Sequence, residues 1–415
     1  MPMKRILSYI FFITFLVSCS NEIPEREYAQ RSNRTVLAYL IANNANTALD
    51  DYLKENISWM YRGLAETKDT CTLLVYYRPS QNDPFFNEPT IMRYETDGYG
   101  NINGHKAITN SYNPQTILQE AEILRTYPDI NHTATDPEIM QTVLNDMRIL
   151  STTTKYGVIF GSHASSWLPA FQIQTFAFGD DKGQSIDIPD MANAIKQAFP
   201  NEKIDFILFD ACMMGTAEVC YELRNVTNYC IASVMETSVL GFPYHLFMSE
   251  LYEEKPDFQE ICDDFVSFNQ EQRLWGTCAA FDCSKMEKFA LNVKQVLTAY
   301  KDVLPTFDFY NDNVQQYGGG SYQYFSLDVG DFFRVLNGGT IPSTIQDAIN
   351  ETVIAKNCLS GRAYAYNNVV VDESRFCGIG MYCPFYTENL SWNLYYANDL
   401  AWYYAAGWNN ILPTE

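Results

Sequence analysis

The chain has 415 residues, of which 47% are hydrophobic and 15% aromatic. A chain of this length and composition can bury a large core, so we predict a globular protein and not a disordered one. Acidic residues number 50 against 28 basic ones, for a formal net charge of −22, and this excludes a nucleic-acid groove, because phosphate contacts need a basic surface.

Residues 1–19 are predicted to be an export signal. Lys4 and Arg5 precede the apolar run ILSYIFFITFLV, which is short for a membrane span and is followed by small residues. The segment ends in LVSC, which resembles the cleavage box of bacterial lipoproteins, whose cysteine, here Cys19, carries the lipid. An ordinary secretory signal cut nearby is the alternative. A lipid would anchor the exported protein to the cell envelope, in the periplasm, at the outer membrane or on the surface, with residues 20–33 as a tether.

Downstream of the tether, apolar strands alternate with amphipathic helices. Strands are predicted at 34–42, 71–79, 90–96, 156–160, 204–210, 229–234 and 276–283, and helices at 46–63, 113–127, 136–150, 189–199 and 213–224. This alternation predicts an α/β fold for 34–285, with a mostly parallel sheet flanked by helices. A helix at 285–304, a region rich in Tyr, Gly and Asn, and a strand at 378–384 predict an α+β accessory subdomain over 286–415.

The eleven cysteines do not follow a regular disulfide or metal spacing. No Cys-x-x-Cys pair occurs, so a structural zinc site has little support. If Cys19 carries lipid and Cys212 stays a free thiol, nine remain, and they cannot all pair. We expect buried thiols that pack as small hydrophobic residues at Cys220, Cys230, Cys278 and Cys283.

Two predicted strands each end in a reactive side chain. The stretch YGVIFGSHASSWLP leads to His163, and IDFILFDACMMGTAEV leads to Cys212. Reactive residues of open α/β sheets gather at the carboxyl ends of the strands, so the two would meet if their strands are neighbours. Nucleophilic catalysis by cysteine needs such a pair, and the helix predicted after Cys212 would favour the thiolate. Backbone amides near Ala164 and Cys212 would stabilise an oxyanion.

The run FDACMMGTAEVCYELRNVTNYCIASVMETSVLGFPY (209–244) resembles the nucleophile region of the clostripain-like cysteine peptidases, a family with a caspase-like fold. Its hallmark is Asp-Ala-Cys followed by a hydrophobic pair and Gly. RTVLAYLIANNANTALDDYLKENISWM (34–60) resembles the family's first strand and helix, and GSHASSWLP resembles its His region. The resemblance implies a caspase-like fold, with Cys212 as nucleophile and His163 as general base or proton shuttle.

The resemblance also implies a substrate class, namely proteins or peptides with Arg or Lys at P1. In the family the residue that matches Asp210 helps to bind the basic side chain, whose desolvation is costly without a carboxylate. Glu236 is predicted to be a second carboxylate of this S1 pocket. The alternatives are a structural cap for Asp210 and a solvated loop carboxylate for Glu236. We expect a monomer without a cofactor, although some relatives depend on calcium.

The resemblance further implies activation by cleavage between the His and Cys regions. The polar segment FAFGDDKGQSIDIP (176–189) carries one basic residue, so Lys182 is the predicted site of self-processing.

Two other functions remain open from the sequence. One is a catalytically inactive lipoprotein that binds partners, supported by Ala164, because the family commonly has Gly after the catalytic His. The other is a metal-dependent hydrolase that uses His163 with Asp210, His245 or His105.

Overall fold

The computed structural model describes residues 29–44, 48–81, 83–111, 113–129, 131–170, 177–307, 313–318, 325–361, 369–385 and 390–411. The predicted signal 1–19 with Cys19, and most of the tether 20–33, lie outside the described residues.

Strands and helices alternate through the first two thirds of the described chain. The strands are β1 (Arg31–Ile41), β2 (Thr70–Arg78), β3 (Thr90–Asp97), β4 (Asn101–Ile102), β5 (His105–Lys106), β6 (Glu122–Thr126), β7 (Lys155–Gly161), β8 (Phe178–Asp181), β9 (Gln184–Ile186), β10 (Ile204–Asp210), β11 (Thr227–Ala232), β12 (Thr277–Asp282), β13 (Leu327–Asp328), β14 (Val353–Cys358) and β15 (Gly380–Met381). The helices are α1 (Ala48–Glu66), α2 (Pro114–Gln119), α3 (Pro137–Leu150), α4 (Ile188–Ala198), α5 (Ala217–Leu223), α6 (Tyr244–Phe247), α7 (Phe258–Glu271), α8 (Met286–Ala299), α9 (Val329–Leu336), α10 (Ser343–Thr352), α11 (Leu390–Asp399) and α12 (Ala401–Ala405).

One large sheet organises the molecule, in the order β14-β12-β11-β10-β7-β1-β2-β3-β4-β5, with β6 paired to β3. The five central strands, from β11 to β2, run parallel to one another. The strands on both flanks are antiparallel. The mostly parallel sheet predicted from the sequence is therefore confirmed.

Helices cover both faces of this sheet, as predicted. Along β1, Leu37 and Tyr39 belong to one apolar core, while Val36 and Ala38 belong to the other, because successive side chains of a strand point to opposite faces. Helices α3, α4, α5 and α8 contribute to the first core, and α1, α6 and α7 to the second. Continuous apolar runs such as those of β1 and β10 are required where both faces of a strand are buried.

The segment 113–127 was predicted to be one helix, and this is wrong. Only α2 is helical, and β6 then pairs antiparallel with β3. Asn103 Nδ2 donates to the carbonyl of Glu120 at 2.9 Å, directly after α2. An ion pair between Arg93 of β3 and Glu122 of β6 adds a cross-strand contact. These partners are distant in sequence, so local helical periodicity did not reveal them.

The C-terminal region does not separate cleanly from the sheet. Strand β14 pairs with β12 inside the main sheet, so hydrogen bonds cross the predicted boundary at 285/286. Helix α12 packs on α5 and α8. The helix predicted at 285–304 ends at Ala299, and the strand predicted at 378–384 is reduced to β15.

Two global features concern membranes and thiols. None of the helices in the described ranges is both long enough and apolar enough to cross a bilayer.

The ten cysteines within the described ranges are free thiols, and nine of them are buried, including the four predicted to be buried. Only Cys212 is partly exposed among them.

Candidate active site

The ends of two neighbouring parallel strands bring the predicted pair together. Gly161 at the end of β7 pairs in register with Asp210 at the end of β10. His163 and Cys212 each follow by two residues, so the register sets them opposite each other at the carboxyl edge of the sheet. Both line one cavity of about 340 Å³. The condition for the two residues to meet, namely that their strands are neighbours, is therefore fulfilled.

The turn that carries the thiol is tightly held. Met213, directly after Cys212, has a φ of +63°, a left-handed conformation that non-glycine residues rarely adopt. Its N–H donates to the Met235 carbonyl at 3.0 Å, and the Gly215 N–H donates to the Ser233 carbonyl at 2.8 Å. A Cβ on Gly215 would lie 3.0 Å from backbone atoms of the same segment, which explains Gly after the hydrophobic pair. The turn is thus fixed to the chain after β11.

The surroundings of Cys212 favour the neutral thiol over the thiolate. Burial and the nearby carboxylates of Glu236 and Asp210 raise its pKa to about 12. Its Sγ lies 3.9 Å from the Thr237 carbonyl oxygen. Helix α5 begins at Ala217 and not at residue 213, so its N-terminus is too remote to favour the thiolate. The expectation of a helix-stabilised thiolate is therefore wrong for this structure.

The imidazole opposite the thiol is a base at neutral pH. Burial lowers the pKa of His163, and the negative charge of Asp180 partly offsets this shift. The Gly179 N–H donates to the His163 carbonyl at 2.8 Å, and Ala164 forms a β-bridge with Phe178. Strand β8 therefore clamps the segment that carries the imidazole.

Asp180 is a site residue that the sequence reasoning missed. It is buried on β8, its Oδ1 accepts the Gly183 N–H at 2.8 Å, and its own N–H donates to Ser162 Oγ. The sequence suggests only a polar loop at this position. The available signal was a pair of acidic residues just before a Lys-Gly turn.

The backbone at the predicted oxyanion positions is compatible with that role. Neither the Ala164 N–H nor the Cys212 N–H donates a hydrogen bond within the described part of the chain. Ala164 does not have a positive φ, so a Cβ is accepted there without backbone strain. The replacement of the family's usual Gly by Ala164 therefore needs no distortion of the backbone.

Asp210 has a structural contact and also faces the cavity. Its Oδ2 accepts the Phe242 N–H at 3.2 Å and the Tyr244 hydroxyl at 2.9 Å. Its Oδ1 accepts no hydrogen bond from a described residue, and the residue lines the same cavity as Cys212. Gly241 has a φ of +68°, and a Cβ there would lie 2.6 Å from Asp210 Oδ2, so only Gly lets the loop cover this carboxylate. Burial raises the pKa of Asp210 to about 6.

Glu236 supplies a second carboxylate to the cavity. It lies half-buried in the loop after β11, and Trp275 Nε1–H donates to its carbonyl at 2.9 Å. The loop is tied to α1 by Asn56 Nδ2, which donates to the Leu240 carbonyl at 2.8 Å. The described residues that line the cavity include Asp210 and Glu236 but no Lys or Arg. The space beside the thiol is therefore acidic.

Lys182 occupies the two-residue turn between β8 and β9. Lys182 and Gly183 have φ values of +58° and +80°. The side chain of Lys182 is exposed, but the neighbouring Asp181 is fully buried. Asp181 accepts hydrogen bonds from Arg78 Nε at 2.9 Å, from the Ala134 N–H at 2.6 Å and from Asn43 Nδ2. The Lys182-Gly183 bond therefore lies in a tight turn next to Asp181, whose buried hydrogen bonds hold the turn in place.

Two of the residues proposed for a metal site, His105 and His245, lie away from His163 and Asp210. His105 lies on β5 at one end of the sheet, away from β7 and β10, and His245 lines a different cavity next to Trp59. In the described ranges, no three His, Cys, Asp or Glu side chains are arranged to hold a metal ion. The chemistry described below uses no metal ion.

Comparisons with known proteins identify the family and the fold. The profile of the Clostripain family (Peptidase_C11) matches residues 38–413. The fold is similar to that of a secreted C11 cysteine protease from Bacteroides thetaiotaomicron, solved in complex with an irreversible peptide inhibitor. The TM-score is 0.71 and the sequence identity 23%, and the match covers 91% of this chain and 99% of that one. It is also similar to an inactive zymogen C11 protease from Parabacteroides distasonis, with a TM-score of 0.70, 20% identity and the same coverages. No curated protein sequence matches the chain significantly.

Asp210→Asn should increase stability and reduce activity. The Asp210 pKa of about 6 exceeds its ordinary value of 3.8, so the wild type loses stability as the pH rises between these values. The amide carries no charge, so above pH 6 the variant should gain up to about 3 kcal/mol. If Asp210 binds a basic side chain of the substrate, kcat/KM for a peptide cleaved after Arg should fall about tenfold to a hundredfold through loss of a charged hydrogen bond.

The checks are thermal unfolding at pH 4 and pH 8 and peptide hydrolysis at pH 8. Asp302→Asn, an exposed position after α8, is the control for the change in net charge. Equal stability of Asp210→Asn and wild type at pH 8 would contradict the argument.

Proposed function

The chain belongs to the clostripain family of cysteine peptidases, and from this premise we propose that it is an endopeptidase that cleaves after Arg or Lys. One observation carries the proposal: the thiol of Cys212 and the imidazole of His163 line one cavity with two carboxylates and no basic side chain among its described lining residues. Thiol and imidazole serve acyl transfer, and the carboxylates suit a cationic P1 side chain.

In the proposed reaction, His163 acts as a general base because both partners start neutral. The imidazole takes the thiol proton as Cys212 Sγ attacks the scissile carbonyl carbon. The N–H groups of Ala164 and Cys212 donate to the oxyanion. The imidazolium then gives its proton to the leaving amine. Water attacks the thioester while His163 accepts a proton, which releases the acid product and restores the thiol.

The proposed S1 pocket uses Asp210 Oδ1 and the Glu236 carboxylate. A buried guanidinium or ammonium group needs an opposite charge, because desolvation without one is costly. Asp210 Oδ2 is already bonded to the loop that follows β11, which holds the carboxylate in place for the ligand. Hydrolysis after Arg or Lys should therefore weaken as the pH falls through about 6 and Asp210 becomes protonated.

The inactive binding protein remains the second candidate. The observation in its favour is the Cys212 pKa of about 12, which leaves very little thiolate at neutral pH. A resting enzyme that awaits activation would have the same property, so only activity separates the two.

We expect the protein lacking residues 1–19 to cleave fluorogenic peptides that end in Arg or Lys, but not those that end in Asp or Leu. Cys212→Ala should abolish cleavage, and His163→Ala should reduce it by about 10² to 10⁴. The reactions are run with reductant, with and without calcium, and after limited proteolysis. Silence of the folded protein toward all four peptides would favour the binding protein, whereas activity that survives Cys212→Ala would favour a metal hydrolase.

Self-processing at Lys182 is the second part of the proposal. Lys182 is the only basic residue between His163 and Lys196, and it is exposed. Its turn conformation differs from the extended form that a peptide takes in a cleft, so the hairpin must open before cleavage. The buried contacts of Asp181 oppose this opening, and processing should be slow.

N-terminal sequencing of incubated protein should find a new terminus at Gly183. Lys182→Ala and Cys212→Ala should prevent it. Asn43→Ala removes one hydrogen bond to Asp181 and should accelerate cleavage several-fold. A single uncut chain with full peptidase activity would rule out this form of activation.

Export and lipid anchoring form the third part. Their support is the sequence of residues 1–19 alone. Expressed in a bacterial host, the full chain should incorporate labelled palmitate and sediment with membranes, and Cys19→Ser should lose both properties. Cys212→Ala, which changes another cysteine, is the matched control and should keep the label. A soluble, unlabelled full chain would leave an ordinary secretory signal as the explanation.

A further inference from the structure

Cys212 lies in an acidic environment that works against the ionisation of its thiol. We propose that the basic P1 side chain of the substrate takes part in activating Cys212, because it neutralises Asp210 and Glu236 and so allows the thiol to lose its proton. The P1 cation would then be selected in the chemical step as well as in binding. This inference rests on the proposed function and adds a regulatory role to its S1 pocket.

Each element packed around the thiol contributes to this environment. Strand β10 supplies Asp210, and the loop after β11 supplies Glu236. The connection after β7 supplies His163, which is neutral at pH 7 because burial lowers its pKa. Helix α1 contributes Tyr52 to the wall of the cavity. The charges that face Cys212 from the described residues are therefore negative.

A ligand can reverse part of the increase in the Cys212 pKa, because nearby carboxylates contribute to that increase. Burial contributes most, followed by the charge of Glu236 and, to a smaller extent, that of Asp210. A cation between these carboxylates cancels their repulsion of a thiolate and adds an attraction of its own. An uncharged ligand of the same shape fills the cavity but increases only the burial. The cation should therefore increase the reactivity of Cys212, whereas the uncharged ligand should leave it unchanged or reduce it.

If the P1 cation helps to activate Cys212, the preference for a basic P1 residue should appear in kcat as well as in KM. An interaction that is equal in the ground state and the transition state lowers KM only, whereas one that strengthens as the thiolate forms raises kcat. A neutral P1 isostere of Arg, such as citrulline, should therefore lose kcat in addition to binding.

The test is the rate at which iodoacetamide alkylates Cys212 in the protein lacking residues 1–19. The other cysteines in the described ranges are buried, and Cys19 is absent from this protein, so the reaction reports on Cys212. At pH 7.5, n-butylguanidinium should increase the rate at least fivefold and shift the rate–pH profile to lower pH. The neutral n-butylurea should leave the rate unchanged or reduce it. Protection by both compounds to the same extent would overturn the inference.

A charge variant tests the same point without a ligand. Glu236→Gln removes one negative charge next to the thiol, so alkylation at pH 7.5 should accelerate several-fold, and the effect of n-butylguanidinium should shrink. Glu254→Gln is the control, because it makes the same change in net charge at the opposite edge of the sheet. Its position there is shown by the Glu254 carbonyl, which accepts a hydrogen bond from Arg34 near the start of β1. The control should match the wild type. An unchanged rate in Glu236→Gln would also overturn the inference.

Thermal-shift and hydrolysis measurements distinguish a failure of this inference from a failure of the proposed function. If Arg and Lys peptides are cleaved and n-butylguanidinium raises the melting temperature but only slows alkylation, the inference fails and the proposed function stands. If neither cleavage nor a thermal shift is found, the proposed function fails and the inference fails with it.

Discussion

The register between β7 and β10 is the constraint on which the site depends. Gly157 of β7 pairs with Phe206 of β10, and a Cβ on Gly157 would lie 2.0 Å from the Phe206 ring. A slip by one residue would move each side chain of the strand to the opposite face and would place a side chain against this ring. The glycine therefore helps to set the pairing that, at the other end of the same strands, brings the imidazole and the thiol to one cavity.

Sequence reasoning succeeded where the signal was local and strong. The apolar runs of β7 and β10, each followed by small residues and one reactive side chain, predicted both the central strands and the positions of His163 and Cys212. It failed where the answer depends on distant partners. Strand β6 pairs with β3 and has a mostly exposed surface, so its residues fit a helical pattern equally well. Asp180 acquires its place near His163 only when the β8–β9 hairpin closes against the segment after β7.

The proposed S1 pocket would combine a function with a cost in stability. Charged Asp210 is buried, and its loop can cover it only because residue 241 is glycine. Such a carboxylate destabilises the fold at neutral pH, yet an opposite charge in the same space would recover that energy. In the proposed function that cation is the P1 side chain of the substrate, since the described lining residues of the cavity include no Lys or Arg.

The protonated resting state of Cys212 has a consequence for the lifetime of the protein. Oxidants such as peroxides react with the thiolate and hardly with the neutral thiol, and they carry a cysteine toward sulfenic and then irreversible sulfinic acid. If the protein is exported as proposed, a partly exposed nucleophile would be inactivated early if it were ionised all the time. Under the proposed activation by the P1 cation, the thiol would be exposed to this damage only while a substrate occupies the site.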